Sequence, residues 1–118
     1  MANRNRQAGI LLELDVVRLL KELGFKAVTS RNESRTADKE GIDIISDCGF
    51  NIQCKAMVNQ PNIHKLMTET KANAIVFRKM EKKKSRFYRQ GDYVAIRLDD
   101  FLNLINHGDN RVIYREKP

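Results

Sequence analysis

The chain contains no tryptophan, only two prolines and two cysteines, and six glycines among 118 residues. Two thiols with neither a Cys-x-x-Cys pair nor a Cys/His cluster exclude a disulfide framework and a zinc site of ordinary spacing, so Cys48 and Cys54 read as reduced strand residues. Long apolar runs are missing as well: stretches such as Ile10-Leu11-Leu12 stop far short of the roughly 18 residues that span a bilayer. No charged start with an apolar middle and a small-residue cleavage site opens the sequence, so a soluble, unexported, cytoplasmic protein without a membrane partner is expected. Internal repeats, low-complexity blocks and linkers are absent too, and residues 1–118 read as one domain. Negative charge is the scarcer sign. Against 15 Asp+Glu stand 22 Lys+Arg, a net charge of +7 that makes a polyanion the leading partner. With 42% hydrophobic residues the chain has the material for a core, which excludes intrinsic disorder.

Apolar residues at Ile10, Leu11, Leu14, Val17, Leu20 and Leu23 recur in steps of three and four, which predicts a helix from about Gln7 to Leu23 ended by Gly24. Leu12, Val16 and Leu19 widen its apolar stripe, enough for a second contact such as a dimer. Phe25 to Thr29 reads as a short strand entering a polar loop, Ser30 to Gly41. Ile42–Ser46 and Phe50–Ala56 read as two strands joined at Asp47-Cys48-Gly49. A crossover helix is expected after Pro61, from Ile63 to about Asn73. Beyond it come a buried strand Ala74–Phe77, a charged turn Lys79–Ser85, and strand pieces at Arg86–Tyr88 and Tyr93–Arg97 interrupted at Gln90-Gly91-Asp92. Asp99 or Asp100 is expected to cap a terminal helix that Gly108 stops, and Arg111–Pro118 adds an edge strand or stays loose. The order predicts an α/β protein, a helix followed by a mixed central sheet with crossover and C-terminal helices.

An antiparallel pair turning at Asp47–Gly49 sets residues whose numbers add to about 96 opposite each other, which brings Asp43 across from Gln53. Phe50, Ile52 and Cys54 then share one face of the third strand, and Asn51, Gln53 and Lys55 the other. Carboxylate, amide and ammonium converge. That grouping suits metal-assisted phosphodiester hydrolysis: carboxylate and carbonyl oxygens hold a hard divalent cation, and a lysine orients or deprotonates the attacking water.

With Glu13 on the first helix, Asp43 on the second strand and Gln53-Cys54-Lys55 on the third, the chain resembles the PD-(D/E)XK nuclease superfamily, and within it the small Holliday-junction-resolvase type. The likeness runs from about Gly9 through Lys55 and, more loosely, to Phe101. It implies a restriction-endonuclease-like core, Mg²⁺ with Mn²⁺ as a substitute, and cleavage to 5′-phosphate and 3′-hydroxyl ends. The catalytic residues it implies are Glu13, Asp43, Gln53 and Lys55, with the metal held by Asp43, Gln53, the Cys54 backbone carbonyl and, through water, Glu13. Two departures stand out: Ile42 takes the place of the family's proline, and the amide of Gln53 that of its acid. An Arg and a Ser near the scissile phosphate correspond to Arg31 and Ser34, with Arg35 beside them. The expected activity is a Mg²⁺-dependent endodeoxyribonuclease on branched DNA, acting as a homodimer, in the host cytoplasm if phage-encoded. A duplex-nicking or restriction-like nuclease and a catalytically silent DNA-binding module are the alternatives. The run Arg78 to Arg89, rich in Lys and Arg, reads as a solvated hairpin tip or a DNA arm, with Lys82, Lys83, Lys84 and Arg86 as candidate phosphate contacts.

Overall fold

The structure, a computed structural model, describes residues 4–107, without the side chains of residues 4, 5 and 32. The three-and-four spacing of the N-terminal leucines and valines forms helix α1 (Arg4–Glu22), three residues longer at its start than the periodicity indicates. One side of α1 seats Leu12, Val16, Val17 and Leu20 on the sheet, where Leu12 joins Ala27, Ile44, Ile52, Cys54 and Ala74 in the main core. Leu11, Leu14 and Leu19, with Leu23 just past the helix end, stay exposed, so the broad stripe is only partly used within the chain.

After α1 come β1 (Ala27–Thr29), α2 (Ser30–Glu33), α3 (Arg35–Lys39), β2 (Ile44–Ser46), β3 (Ile52–Met57), α4 (Ile63–Glu69), β4 (Ala74–Lys83), β5 (Arg86–Ile96) and α5 (Leu98–His107). The strands form one mixed sheet in the order β1-β2-β3-β4-β5, antiparallel except for β3 and β4. A parallel pair needs a crossover, and α4 supplies it. Its Met67 packs with Ala72 and Ile75 as a smaller core on the face opposite α1. Among the described residues no helix is long and apolar enough to cross a membrane.

Ile44 lies opposite Ile52, the register expected from the turn at Asp47–Gly49. Elsewhere the structure corrects the sequence reading. The stretch 30–41 is not a loop but two short helices, the second capped by Ser34, whose Oγ accepts the Ala37 N–H at 3.2 Å. Helix α4 ends at Glu69 rather than near Asn73, because Thr70 turns extended and its hydroxyl bonds back to the Leu66 carbonyl at 2.6 Å. Strands β4 and β5 are continuous where breaks were expected: the turn shrinks to Lys84-Ser85, and a bulge opposite the Lys79/Met80 step absorbs the irregularity near Gly91. Helix α5 begins at Leu98, so Asp99 and Asp100 sit in its first turn, where carboxylates favour the helix dipole, rather than capping it. The stop expected at Gly108 and the edge strand at Arg111–Pro118 lie outside the described residues.

A buried ion network ties the β4–β5 pair to α1. Arg78 gives Asp92 two hydrogen bonds, at 2.8 and 3.0 Å, and gives Asp15 of α1 one at 2.9 Å. The Arg78 hydrogen bonds hold the Asp92 carboxyl below the usual carboxylate range, and Arg89 adds to this from the rim.

Candidate active site

The site lies where β2 parts from β3. The two strands share a single residue pair, and beyond it the backbone of Asp43 takes over: its N–H donates to the Ile52 carbonyl at 2.7 Å, and its own carbonyl accepts the Ser30 N–H at 2.8 Å. Thus Asp43 is wedged between the ends of β1 and β3. Its Oδ2 accepts the Cys54 N–H at 2.8 Å, which fixes the carboxylate against β3. In an extended strand the N–H and C=O of one residue point to the same side, so the Cys54 carbonyl also faces the Asp43 side of β3.

Gly41 makes this placement possible. Its φ of +81 is the left-handed region, and a Cβ there would lie 2.5 Å from the Thr70 Cβ, so only glycine brings the chain out of α3 and into Asp43 along this path.

Glu13 approaches from α1 with a side chain 14% exposed and an ion pair to Arg31 of α2, Oε1 to Nη2 at 3.1 Å. Burial first, and the Asp43 charge second, push its carboxyl up to about 7 against the opposing pull of Arg31. Burial also raises Asp43, while the Cys54 N–H, the Lys55 charge and Arg31 draw it back. The structure therefore brings Glu13, Asp43, Lys55 and Arg31 into one electrostatic cluster. Gln53 is buried, 8% exposed, and its Oε1 has no hydrogen-bond partner. Cys54 meets Asp43 through its backbone N–H, while burial drives its thiol far up.

Two residues of this neighbourhood escape a reading of the sequence. Ser30, 1% exposed, has a buried Oγ without a partner; it sits one step beyond the β1–β2 register, opposite Asp43. Asp38 of α3 raises both Glu13 and Asp43 through its charge. The signal for Asp38 was present in Ser34, an N-cap serine before the helix-compatible run Arg35–Lys39. Ser34 itself is engaged as that cap, and Arg35 is exposed at the start of α3. Lys82, Lys83, Lys84 and Arg86 stand exposed at the far end of the β4–β5 pair, away from the cluster.

Among the described residues no three His, Cys, Asp or Glu side chains group closely enough to hold a metal by themselves. The oxygen donors on hand are the two carboxylates, the unbonded Gln53 amide and the Cys54 carbonyl. Comparison with protein-family models, with curated proteins and with solved structures finds no match for the chain.

Proposed function

We propose that the chain is a metal-dependent endonuclease with a restriction-endonuclease-like PD-(D/E)XK core that hydrolyses phosphodiester bonds in branched DNA such as four-way junctions. The observation that carries this reading is the meeting of Glu13, Asp43 and Lys55 beside a buried, unbonded amide oxygen on Gln53. An all-oxygen donor set with one orphaned member fits Mg²⁺, or Mn²⁺ in its place, better than a soft metal. When bound, such a cation supplies Lewis-acid polarisation of the scissile phosphate and of the attacking water.

The chain's own residues supply the rest. The oxygens that would hold the cation are those of Asp43, itself held by the Cys54 N–H, of Gln53 and of the Cys54 carbonyl, with Glu13 as the further carboxylate that would act through water. Lys55 orients the attacking water, whose oxygen joins phosphorus as the bond to the 3′ oxygen breaks, leaving 5′-phosphate and 3′-hydroxyl ends. Arg31 exchanges its carboxylate partner for a phosphate oxygen, a contact its guanidinium makes bidentately. Ser34, Arg35, Lys82, Lys83, Lys84 and Arg86 add contacts to the DNA backbone. Two symmetric nicks call for two sites, and a homodimer acting in the cytoplasm, the host's for a phage protein, fits that need. Exposed leucines on α1 and α5, beside an apolar groove of about 500 Å³, support the pairing. A mass of twice 13.7 kDa by light scattering is the expected result, and the monomer mass with and without DNA refutes the pairing.

A second reading, a catalytically silent DNA-binding module, draws on the Glu13–Arg31 ion pair, which occupies one carboxylate. Incubating a synthetic four-way junction, and a linear duplex of equal length, with Mg²⁺ separates the readings. Junction nicking by the wild type that Asp43→Asn and Lys55→Ala abolish supports the nuclease. Nicking of both substrates alike favours a duplex-nicking enzyme, and junction binding without any nicking favours the module.

A further inference from the structure

Strand β4 continues past its neighbour. β3 pairs with β4 only as far as Met57 opposite Lys79, whereas β4 and β5 remain paired to Lys83 opposite Arg86. Past the buried Met80, whose partner Arg89 still reaches Asp15 of α1, the pair runs on from Glu81 as a two-stranded ribbon. It carries Lys82, Lys83, Lys84 and Arg86, all exposed, and its one acid, Glu81, accepts from Gln90 at 2.6 Å and lies 3.9 Å from Lys83 in a solvent-exposed ion pair that a phosphate can replace. Lys82 lies over the Phe87 ring, 5.9 Å from its centroid, which stiffens that cation at the ribbon's end.

The pleat distributes these charges. Lys82 and Lys83 are consecutive in a strand and point to opposite faces, and Arg86, paired with Lys83, shares the face of Lys83. Lys84 stands at the turn, with φ 58. A ribbon lying flat on one DNA backbone would use cations on one face only. Cations on both faces and at the tip match a ribbon between two phosphate walls, and a two-stranded ribbon fits the major groove, about 12 Å wide, but not the minor groove of about 6 Å.

We infer that the β4–β5 ribbon enters the major groove of a duplex arm beside the cleavage site, which makes such an arm part of the substrate. This rests on the nuclease reading for the location of cleavage, not for the binding. Lys55 of the site is paired with Phe77, and Lys83 lies six positions further along β4. At ~3.3 Å per residue the tip is about 20 Å beyond the site, or about six base pairs of duplex at ~3.4 Å each.

The test is fluorescence anisotropy in Mg²⁺-free buffer on labelled four-way junctions whose arms grow from about four to about twelve base pairs, arm lengths chosen to bracket the ribbon's reach. Wild-type affinity rises until the arms pass the ribbon's reach and then levels. Lys82→Ala/Lys83→Ala/Lys84→Ala/Arg86→Ala removes the rise and flattens the slope of log affinity against log salt by up to ~0.9 for each phosphate no longer neutralised. The milder Lys83→Gln/Arg86→Gln variant, which touches exposed side chains only, flattens it about half as much. Methyl green, a major-groove ligand, competes with wild-type binding, and netropsin, a minor-groove ligand, does not. An unchanged slope in both variants, competition by netropsin alone, or equal flattening on an RNA duplex, whose major groove excludes side chains, overturns the inference. Adding Mg²⁺ afterwards keeps the two readings apart. Ribbon-dependent binding without nicking defeats the nuclease alone, and nicking indifferent to arm length and to both variants defeats the ribbon alone.

Discussion

Replacing Glu13 by Gln should stabilise the metal-free protein at alkaline pH. Its carboxyl, pushed from 4.5 up to about 7 by burial and by Asp43, binds its proton more tightly folded than unfolded. The contribution is thus fully favourable below about 4.5 and is lost as pH rises through about 7. At ~1.4 kcal/mol per pH unit the displacement corresponds to about 3 kcal/mol. Relaxation around a side chain still 14% exposed brings the expected difference to about 1–2 kcal/mol. Losing the Arg31 ion pair subtracts little, because that guanidinium is 31% exposed and recovers water.

Urea unfolding in EDTA at several pH values between about 4 and 8.5 is the assay, a window set to span the 4.5-to-7 displacement. Wild-type stability should fall across that window, with Asp43, also raised by burial, adding to the fall. In Glu13→Gln the fall should shrink, since the carboxyl is gone and Asp43 loses a neighbouring negative charge. At the alkaline end the variant should be the more stable protein, and saturating Mg²⁺ should close the gap by stabilising the wild type. A flat wild-type profile, or a variant with an undiminished slope, would refute the argument that burial outweighs Arg31 at this position.

Other substitutions follow from equally local geometry. Gly41→Ala combines a φ of +81 with a 2.5 Å approach to the Thr70 Cβ, whose side chain is tied to Leu66 and Ala72, and should cost about 1–3 kcal/mol in urea unfolding while displacing Asp43 and reducing cleavage. Arg78→Ala removes the buried cation between Asp15 and Asp92, leaving the exposed Arg89 as their shared partner, and should cost about 3 kcal/mol. Because the Asp92 carboxyl is held below its ordinary 3.8, its stabilisation is present above that value and lost as pH falls further, so Asp92→Asn should flatten the acid limb of the stability curve. Gln53→Met, similar in shape but without the unbonded amide oxygen, should stabilise the metal-free protein by about 1–3 kcal/mol and raise the Mg²⁺ needed for half-maximal cleavage. Gln53→Glu should lower that requirement, and an unchanged Mg²⁺ dependence in both variants rules Gln53 out as a ligand.

What could be read from the sequence depended on how local its cause was. The β2–β3 register follows from a short turn, so Asp43 beside Gln53 and Cys54 was legible. Helix α1 follows from its periodicity. By contrast, the ribbon reads as broken pieces because Lys79–Ser85 and Gln90-Gly91-Asp92 look like turns in isolation. Pairing along ten- and eleven-residue strands overrides both, placing a bulge at one and two turn residues at the other. The burial of Gln53 was hidden for a related reason. Alternation marks it as the polar face of β3, but in a sheet covered by α1 on one side and α4 on the other, polar and exposed are not the same.

The distribution of local misfits is the strongest structural pointer to a site. Buried polar atoms in folded proteins are nearly always bonded, and among the described residues the unbonded ones are Ser30 Oγ and Gln53 Oε1. Both flank Asp43, Ser30 through its own backbone N–H at the start of α2 and Gln53 one step beyond the Ile44–Ile52 pair. The two carboxyls that burial raises, Glu13 and Asp43, lie in the same place, and the Asp43 charge raises Glu13 further. Meanwhile Arg78, a buried charge of comparable cost, is compensated by two carboxylates, Asp15 from α1 and Asp92 from β5. Among the described residues the fold satisfies this buried cation, while around Asp43 it leaves an amide and a hydroxyl oxygen unbonded and keeps two carboxyls raised despite Arg31 and the Cys54 N–H. A hard cation and a phosphate are the groups whose chemistry would relieve each of those four at once.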